Sequence, residues 1–249
     1  MRRGACLLLI LGLGLSACDR GGPVTREQLH VFGGTTDIEI RGASADVAQS
    51  AIADAAARLN QREREWHAWQ PSDLTRINAA FRAGQPAAAP PSVRNLVALS
   101  QKFAISSDGL FDPAIGGLVE MWGFHTSQFP VRTPAPSLDQ VTAWLTRHPR
   151  ILDVGIEGDT LFSRNPAVQL DFDSIAEGAV AAEVMEVFSQ HGVRHALISI
   201  GGDVSALGDG NGQPWVVGMR DPYGGVLGSV ELGDHEAFFS SGSYNKFRQ

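Results

Sequence analysis

Apolar positions along the first third of the chain recur at helical spacing. After Ser44, the residues Val47, Ala51, Ile52, Ala55, Ala56 and Leu59 fall on one stripe, so the pattern predicts a helix capped by Ser44 and running to about Trp66. A second helix is expected from Ser92, with Val93, Leu96, Val97 and Phe103 on one face and Asp108-Gly109 at its end. A third, short one is expected after Ser137, carrying Val141, Trp144 and Leu145 and stopped by Pro149. Residues 31–40 read as a strand around a Gly33-Gly34-Thr35-Thr36 turn or bulge, and the proline- and alanine-rich stretch 83–91 reads as a surface loop.

The period changes at Ile151. Residues 151–156 and Leu161-Phe162, on either side of Gly158-Asp159, predict a hairpin, and 168–172 predicts a further strand. Residues 175–191 are helical in pattern, with Ala176, Val180, Val184 and Phe188 facing a core. Short strands follow at 195–200, 203–207, 215–219, 226–232 and 237–241, separated by Gly201-Gly202, Asp209-Gly210-Asn211-Gly212 and Asp221-Pro222. Helices come early and strands late. That order predicts an α+β fold with a largely antiparallel sheet and packed helices. No repeat and no hinge divides residues 31–249.

The N-terminus follows a different logic. Arg2 and Arg3 precede an apolar run, Leu7 to Leu15, and then Leu15-Ser16-Ala17-Cys18. Charged, apolar and small residues in that order make a secretory signal, and the run is shorter than the ~20 residues a bilayer span needs. The tetrad resembles a bacterial lipobox, whose cysteine is acylated and becomes the first mature residue. Residues 1–17 are therefore expected as a lipoprotein signal peptide, Cys18 as the lipidation site and 18–30 as a polar tether. Asp19 after Cys18 resembles an inner-membrane retention signal, so the expected location is the periplasmic face of the inner membrane, lipid-anchored. Cys6 leaves with the signal and Cys18 carries the lipid, so disulfide, thiolate and sulfur-ligated metal chemistry are not expected in the folded part.

Composition narrows the chemistry. With 249 residues, 43% of them hydrophobic and a net charge of −7, the chain has enough apolar material for a sizeable core and no basic block to neutralise phosphates along a nucleic acid. A dinucleotide-fold glycine fingerprint, a P-loop and a nucleophile elbow are all missing from the sequence. Seven histidines scattered between positions 30 and 235 make a histidine zinc site an unpromising reading.

Four segments carry chemistry instead. Asp108-Gly109-Leu110-Phe111-Asp112-Pro113-Ala114-Ile115-Gly116-Gly117-Leu118 reads either as a helix-capping turn or as a backbone cradle that glycine lets a ligand approach. Leu170-Asp171-Phe172-Asp173-Ser174-Ile175-Ala176-Glu177-Gly178 delivers carboxylates and a hydroxyl to a helix start. Such a start binds anions through free N–H groups, and its oxygens suit a hard cation such as Mg²⁺; N-capping by Asp173 or Ser174 uses the same geometry. Ser199-Ile200-Gly201-Gly202-Asp203 and Phe239-Ser240-Ser241-Gly242-Ser243-Tyr244 end strands in small-residue turns.

Taken in order with Gly34-Thr35-Thr36, with the run from Trp66-His67-Ala68-Trp69 through Asn78, with Trp122-Gly123-Phe124 and with residues 215–222, these segments resemble the FAD:protein FMN transferases of the ApbE family. The resemblance covers roughly residues 31–248. It implies an Mg²⁺-dependent enzyme that moves FMN from FAD to a threonine of a target protein and releases AMP. It implies that Trp69 lies against the flavin, that Leu110, Phe111, Asp112, Asp171 and Glu177 contact FAD, and that Ser174 gives Mg²⁺ an oxygen. Plausible acceptors by the same resemblance are subunits of membrane redox complexes. Three departures accompany it. Glu177 stands where many members have lysine, Gly33 where they commonly have methionine, and the family's S/P-H-x-x-D-P-x-T-G segment, with its other metal ligands and its histidine, does not occur before Gln249. The catalytic residues are therefore unassigned, and the alternative is a flavin-binding lipoprotein without transferase activity.

Overall fold

The computed structural model describes residues 22–249, so the signal peptide and Cys18 lie outside the described residues. Strands β1 (Val24–Val31) and β2 (Gly34–Arg41) form a hairpin. Helices α1 (Ala45–Trp66) and α2 (Asp73–Arg82) follow, then the two-residue strand β3 (Ala87–Ala88) and α3 (Pro91–Ser106). Next come the short helices α4 (Gly116–Met121) and α5 (Leu138–Leu145) and the hairpin β4 (Val154–Glu157) and β5 (Thr160–Ser163). The rest is α6 (Asp173–Gln190), β6 (His195–Ile200), β7 (Asp203–Leu207), β8 (Trp215–Arg220), β9 (Val226–Leu232) and β10 (Ala237–Phe238). The strands make a five-stranded sheet in the order β1-β2-β6-β7-β10, a three-stranded β3-β5-β4 and a β8-β9 ribbon, every pair antiparallel. The expected α+β class, with an antiparallel sheet and packed helices, is what the chain adopts.

Period-two alternation sets the large sheet's two faces. Thr36, Ile38 and Ile40 of β2 are buried and stand opposite Ile200, Ile198 and Ala196 of β6. On this face α1 buries Ala48, Ala51, Ile52, Ala55 and Leu59, and α6 buries Ala176, Val180, Val184 and Phe188, in one core. Each large side chain buried there is worth about 1.5–3 kcal/mol. The opposite face of β6-β7 presents Leu197, Val204 and Ala206 to Trp215 and Leu232 of the ribbon, a second, smaller core. Both faces of the central strands are therefore covered, which is why β6 and β7 can read apolar at consecutive positions.

Several expectations need correcting. The tether does not extend to residue 30: from Val24 the chain is a strand paired along its length with β2, because the Phe32-Gly33 turn, both residues at positive φ, is a two-residue hairpin connection. The stretch 83–91 holds β3 and buries Ala87 and Ala89. Helix α3 begins at Pro91, and the Ser92 hydroxyl is spent on the buried carboxylate of Glu65 rather than on a cap. Helices α2 and α4 were not anticipated. Both are short, and α2 is fixed by a capping box between Ser72 and Thr75.

Residues 168–171 belong to no named strand, Gln169 makes an isolated bridge to Ile115, and Phe172 has already turned at φ −100°, ψ 9°. On one side, Gln169 N–H donates to Ala114 O (3.2 Å), Gly116 N–H to Gln169 O (2.8 Å) and Asp171 N–H to Pro113 O (2.8 Å). On the other side, the amide of Asn78 takes both backbone groups of Leu170, accepting from its N–H at 2.7 Å and donating to its carbonyl at 2.9 Å. Asn78 is 2% exposed. A side chain thus replaces the neighbouring strand. Asn78→Ala leaves a buried N–H and C=O unpaired and should lower unfolding stability by roughly 2–4 kcal/mol, read as a drop in the urea midpoint at unchanged slope.

Candidate functional site

The backbone pairing of 113–116 with 169–171 brings two of the four chemistry-bearing segments together at the start of α6. Gly116 permits it, because a Cβ there would lie 2.7 Å from the carbonyl oxygen of Gln169. Asp112 anchors the same turn: its carboxylate accepts from Ala114 N–H (2.9 Å) and from Ile151 N–H (2.9 Å). Burial raises the Asp112 carboxyl above its ordinary value, and these two backbone bonds oppose the rise. Asp112 is therefore engaged in holding the loop.

The cap of α6 is neither Asp173 nor Ser174. Phe172 occupies the N-cap position with its ring wholly buried, and Asp171 Oδ1 accepts from Asp173 N–H at 3.1 Å. The other oxygen of Asp171 meets His125 Nε2 at 3.0 Å, with both side chains nearly buried. His125 follows the Trp122-Gly123-Phe124 run, so this pair ties that loop to the helix start. The Ser174 hydroxyl is exposed and makes no hydrogen bond among the described residues.

One turn further along α6, Glu177 lies against the Gly201-Gly202 turn: a Cβ on Gly201 would sit 3.2 Å from its Oε1. It is hydrogen-bonded to Asp203, and burial, then the charge and hydrogen bond of Asp203, push its carboxyl up to about 7. Asp203 in turn accepts from Ser240 N–H at 3.0 Å, which joins the fourth segment to the third. Asp173 is also raised, by its crowded setting and then by Asp171. Lys246 lowers both Asp173 and Glu177. It is brought round by the last residues of the chain, where Val131 N–H donates to Phe247 O (2.9 Å), Gln249 N–H to Val131 O (3.1 Å), and Arg248 to the carbonyls of Trp122 and Thr133.

Trp69 reaches this region through His67. The two rings meet edge to face at 4.8 Å, and Trp69 is half-buried against the main core. Burial lowers the His67 imidazole below its ordinary value, while the charges of Asp173, Glu63 and Asp171 pull it up. Phe111 packs edge-on against Phe103 at 5.9 Å, and Leu110 is 93% exposed at the left-handed Asp108-Gly109 turn that ends α3.

The sequence-predicted residues thus divide. Asp171, Ser174 and Glu177 share one helix start, and Trp69 and Asp112 flank it, whereas Leu110 stands out in solvent. His67 and Asp203, which stand inside quoted motifs without an assigned role, join the site, as do His125 and Lys246. Asp203 could have been found as the carboxylate of the Gly-Gly-Asp turn. His125 and Lys246 lie just beyond motifs and carry no signal of their own. The oxygens around α6 have the chemistry of a hard-cation shell, but among the described residues no three His, Asp or Glu side chains converge on one point, and Asp171 is already committed on both oxygens. The described residues do not make a magnesium site by themselves.

A model of the ApbE family matches residues 32–249. The chain belongs to the ApbE family. An FAD:protein FMN transferase of Rhodobacter capsulatus is 38% identical over 240 residues, covering 96% of this chain and 46% of its own. One of Treponema pallidum is 31% identical over 198 residues, covering 71% and 52%. The chain spans about half the length of these relatives. Among solved structures, the apo flavinyl transferase ApbE of Pseudomonas stutzeri superposes with a TM-score of 0.72 at 28% identity, over 86% of this chain and 67% of its own. The flavin transferase ApbE of Vibrio cholerae shares the fold, with a TM-score of 0.76 at 22% identity.

The ApbE-family site carries a pH signature. Folding raises Glu177 from an ordinary 4.5 to about 7, so the folded chain holds a proton that the unfolded chain has released. Stability from this group is complete below the unfolded value and is lost as pH climbs toward about 7. Glu177→Gln keeps a hydrogen-bond donor for Asp203 and removes the titration. Relative to this variant, the parent's melting temperature should fall across that window and level off above it; parallel curves would show that Glu177 titrates normally.

Proposed function

We propose that this chain is the flavin-handling part of an FAD:protein FMN transferase. In the proposed reaction the hydroxyl oxygen of a threonine on a target protein bonds to the FMN-side phosphorus of FAD. The bond from that phosphorus to the bridging oxygen breaks, AMP leaves with its electron pair, and the hydroxyl proton passes to a base. The observation that carries the reading is the joining of the 108–118 block to the Asp171–Glu177 helix start, beside Trp69, in a chain whose relatives are named for this activity.

In this reading Trp69 stacks on the isoalloxazine, since a flat aromatic face is what such a ring binds. Leu110 and Phe111 border the ligand, and Asp171 and Glu177 line it. In the first turn of α6 the N–H groups of Asp173, Ile175 and Ala176 are already bonded to Asp171 and Phe172, so the diphosphate would meet the Ser174 N–H. Phosphoryl transfer depends on positioning and charge neutralisation more than on a protein nucleophile. The site is rich in carboxylates and holds one lysine, so an anionic dinucleotide needs an accompanying cation. Mg²⁺ is proposed for that role, with Ser174 as one of its oxygens. The catalytic base is unassigned. The lack of three converging donors among the described residues favours a second reading, flavin binding without transfer.

Incubating the full chain with FAD, Mg²⁺ and a threonine-bearing acceptor peptide should give fluorescent, flavinylated peptide and AMP in equal amounts. Bound FAD with neither product would leave the binding reading, and AMP without labelled peptide would mean hydrolysis. The proposed location is a lipid anchor at Cys18 on the periplasmic face of the inner membrane, near membrane redox complexes that contain the acceptor. Cys18→Ser should move the expressed protein from the membrane to the soluble fraction, scored by blotting.

A further inference from the structure

We propose that His67 is a positioning residue that sets the angle of the Trp69 indole for flavin stacking. The proposal rests on the reading that Trp69 contacts the isoalloxazine, and it deepens that reading by naming what orients the ring.

The geometry is local and specific. Helix α1 ends at His67, which leaves the helical conformation at φ −60°, ψ 124°. Its Nδ1 then accepts from Gln70 N–H at 3.0 Å and, at a longer 3.4 Å, from Trp69 N–H. One ring nitrogen therefore serves two backbone donors of the turn leading into α2, as an Asp, Asn or Ser side chain does when it caps a turn. The carbonyl of His67 accepts from the Ser72 hydroxyl at 2.6 Å, which fixes the other end of the turn. The ring then meets Trp69 edge to face, at 4.8 Å and 78°. Backbone and side chain of Trp69 are both held by one imidazole.

The electronic state agrees with this role. Burial favours the neutral ring, which leaves Nδ1 free to accept and places the proton on Nε2. A tryptophan on a turn has two free torsions. Losing the edge contact and the turn bonds lets the indole sample rotamers that cannot stack, so affinity for a flat ring falls while affinity for the rest of the dinucleotide is spared.

The test uses the full chain, with FAD and AMP as separate probes in calorimetry, and the shift of the flavin absorption band at saturating FAD. His67→Ala should weaken FAD about five- to tenfold, the equivalent of roughly one lost hydrogen bond. It should diminish the band shift at saturation and leave AMP binding unchanged. His67→Asn places an amide oxygen near the position of Nδ1 and should restore FAD affinity to within about threefold, because the turn bonds return. Three results each overturn the proposal: unchanged FAD affinity and band shift in His67→Ala, equal losses for FAD and AMP, or no recovery in His67→Asn. A parent protein that binds AMP but gives no flavin band shift with FAD would instead remove the stacking role of Trp69, and the proposal with it.

Discussion

The site depends on how an extended segment outside every sheet satisfies its backbone. Residues 169–171 precede α6 and fix where that helix begins. Buried peptide groups must be paired, and no neighbouring strand is at hand. The loop at 113–116 takes the N–H and C=O of Gln169 and the N–H of Asp171, and the Asn78 amide takes both groups of Leu170. One requirement therefore links three distant stretches of sequence. It also dictates residue types. Gly116 has no room for a Cβ, Asn78 needs both a donor and an acceptor, and Leu170 is wholly buried because its neighbours face opposite partners. The positions that look like ligand motifs are in part the positions that hold the helix start in place.

That helix start gathers like charges. Asp171, Asp173, Glu177 and Asp203 are offset by Lys246, with His67 and His125 alongside. Carboxylates this close cannot all ionise without cost, and the cost shows at Glu177, which burial and the neighbouring Asp203 push up to about 7. Asp171 accepts from the backbone N–H of Asp173 and meets His125 through its other oxygen. Lys246 arrives on the segment that pairs with Val131, so the chain's last residues contribute to the charge balance of a helix that begins more than seventy positions earlier.

How far the sequence reveals this depends on the range of each interaction. The helix from Ser44 to Trp66 and the strands at 195–200, 203–207 and 226–232 follow from periodicity, because one buried face repeats every few residues. Helix α2 did not, since its cap and its amphipathic stripe fit into ten residues read as motif. The segment 168–172 looked like a strand because its burial is that of a strand, while its partners are a loop and a side chain that no local pattern announces. The α6 cap was misplaced for a similar reason. Asp173 and Ser174 have capping chemistry, but Asp171 is held by His125 and so reaches the free N–H first. Pairings such as Glu177 with Asp203 are set by the sheet register that puts Asp203 beside Ile200 on the helix-covered face, and register is a property of the folded sheet.

The distribution of rigidity follows from these constraints. Carboxylates at the α6 start are fixed by backbone and by one another, Asp112 is locked into its turn, and Trp69 is held by a single imidazole on a turn between two helices. Leu110, by contrast, is almost fully in solvent on a left-handed turn. A dinucleotide lying across such a site would meet a preset polar end and a largely preset aromatic face, so ordering at the 108–111 turn is the main conformational cost left for binding to cover. In the proposed reading the phosphate end would be the opposite case. Its geometry is fixed, but its charge is wrong for an anion until a cation or retained protons offset it, and Glu177, already poised near neutrality, is the group whose proton a bound diphosphate would hold most firmly.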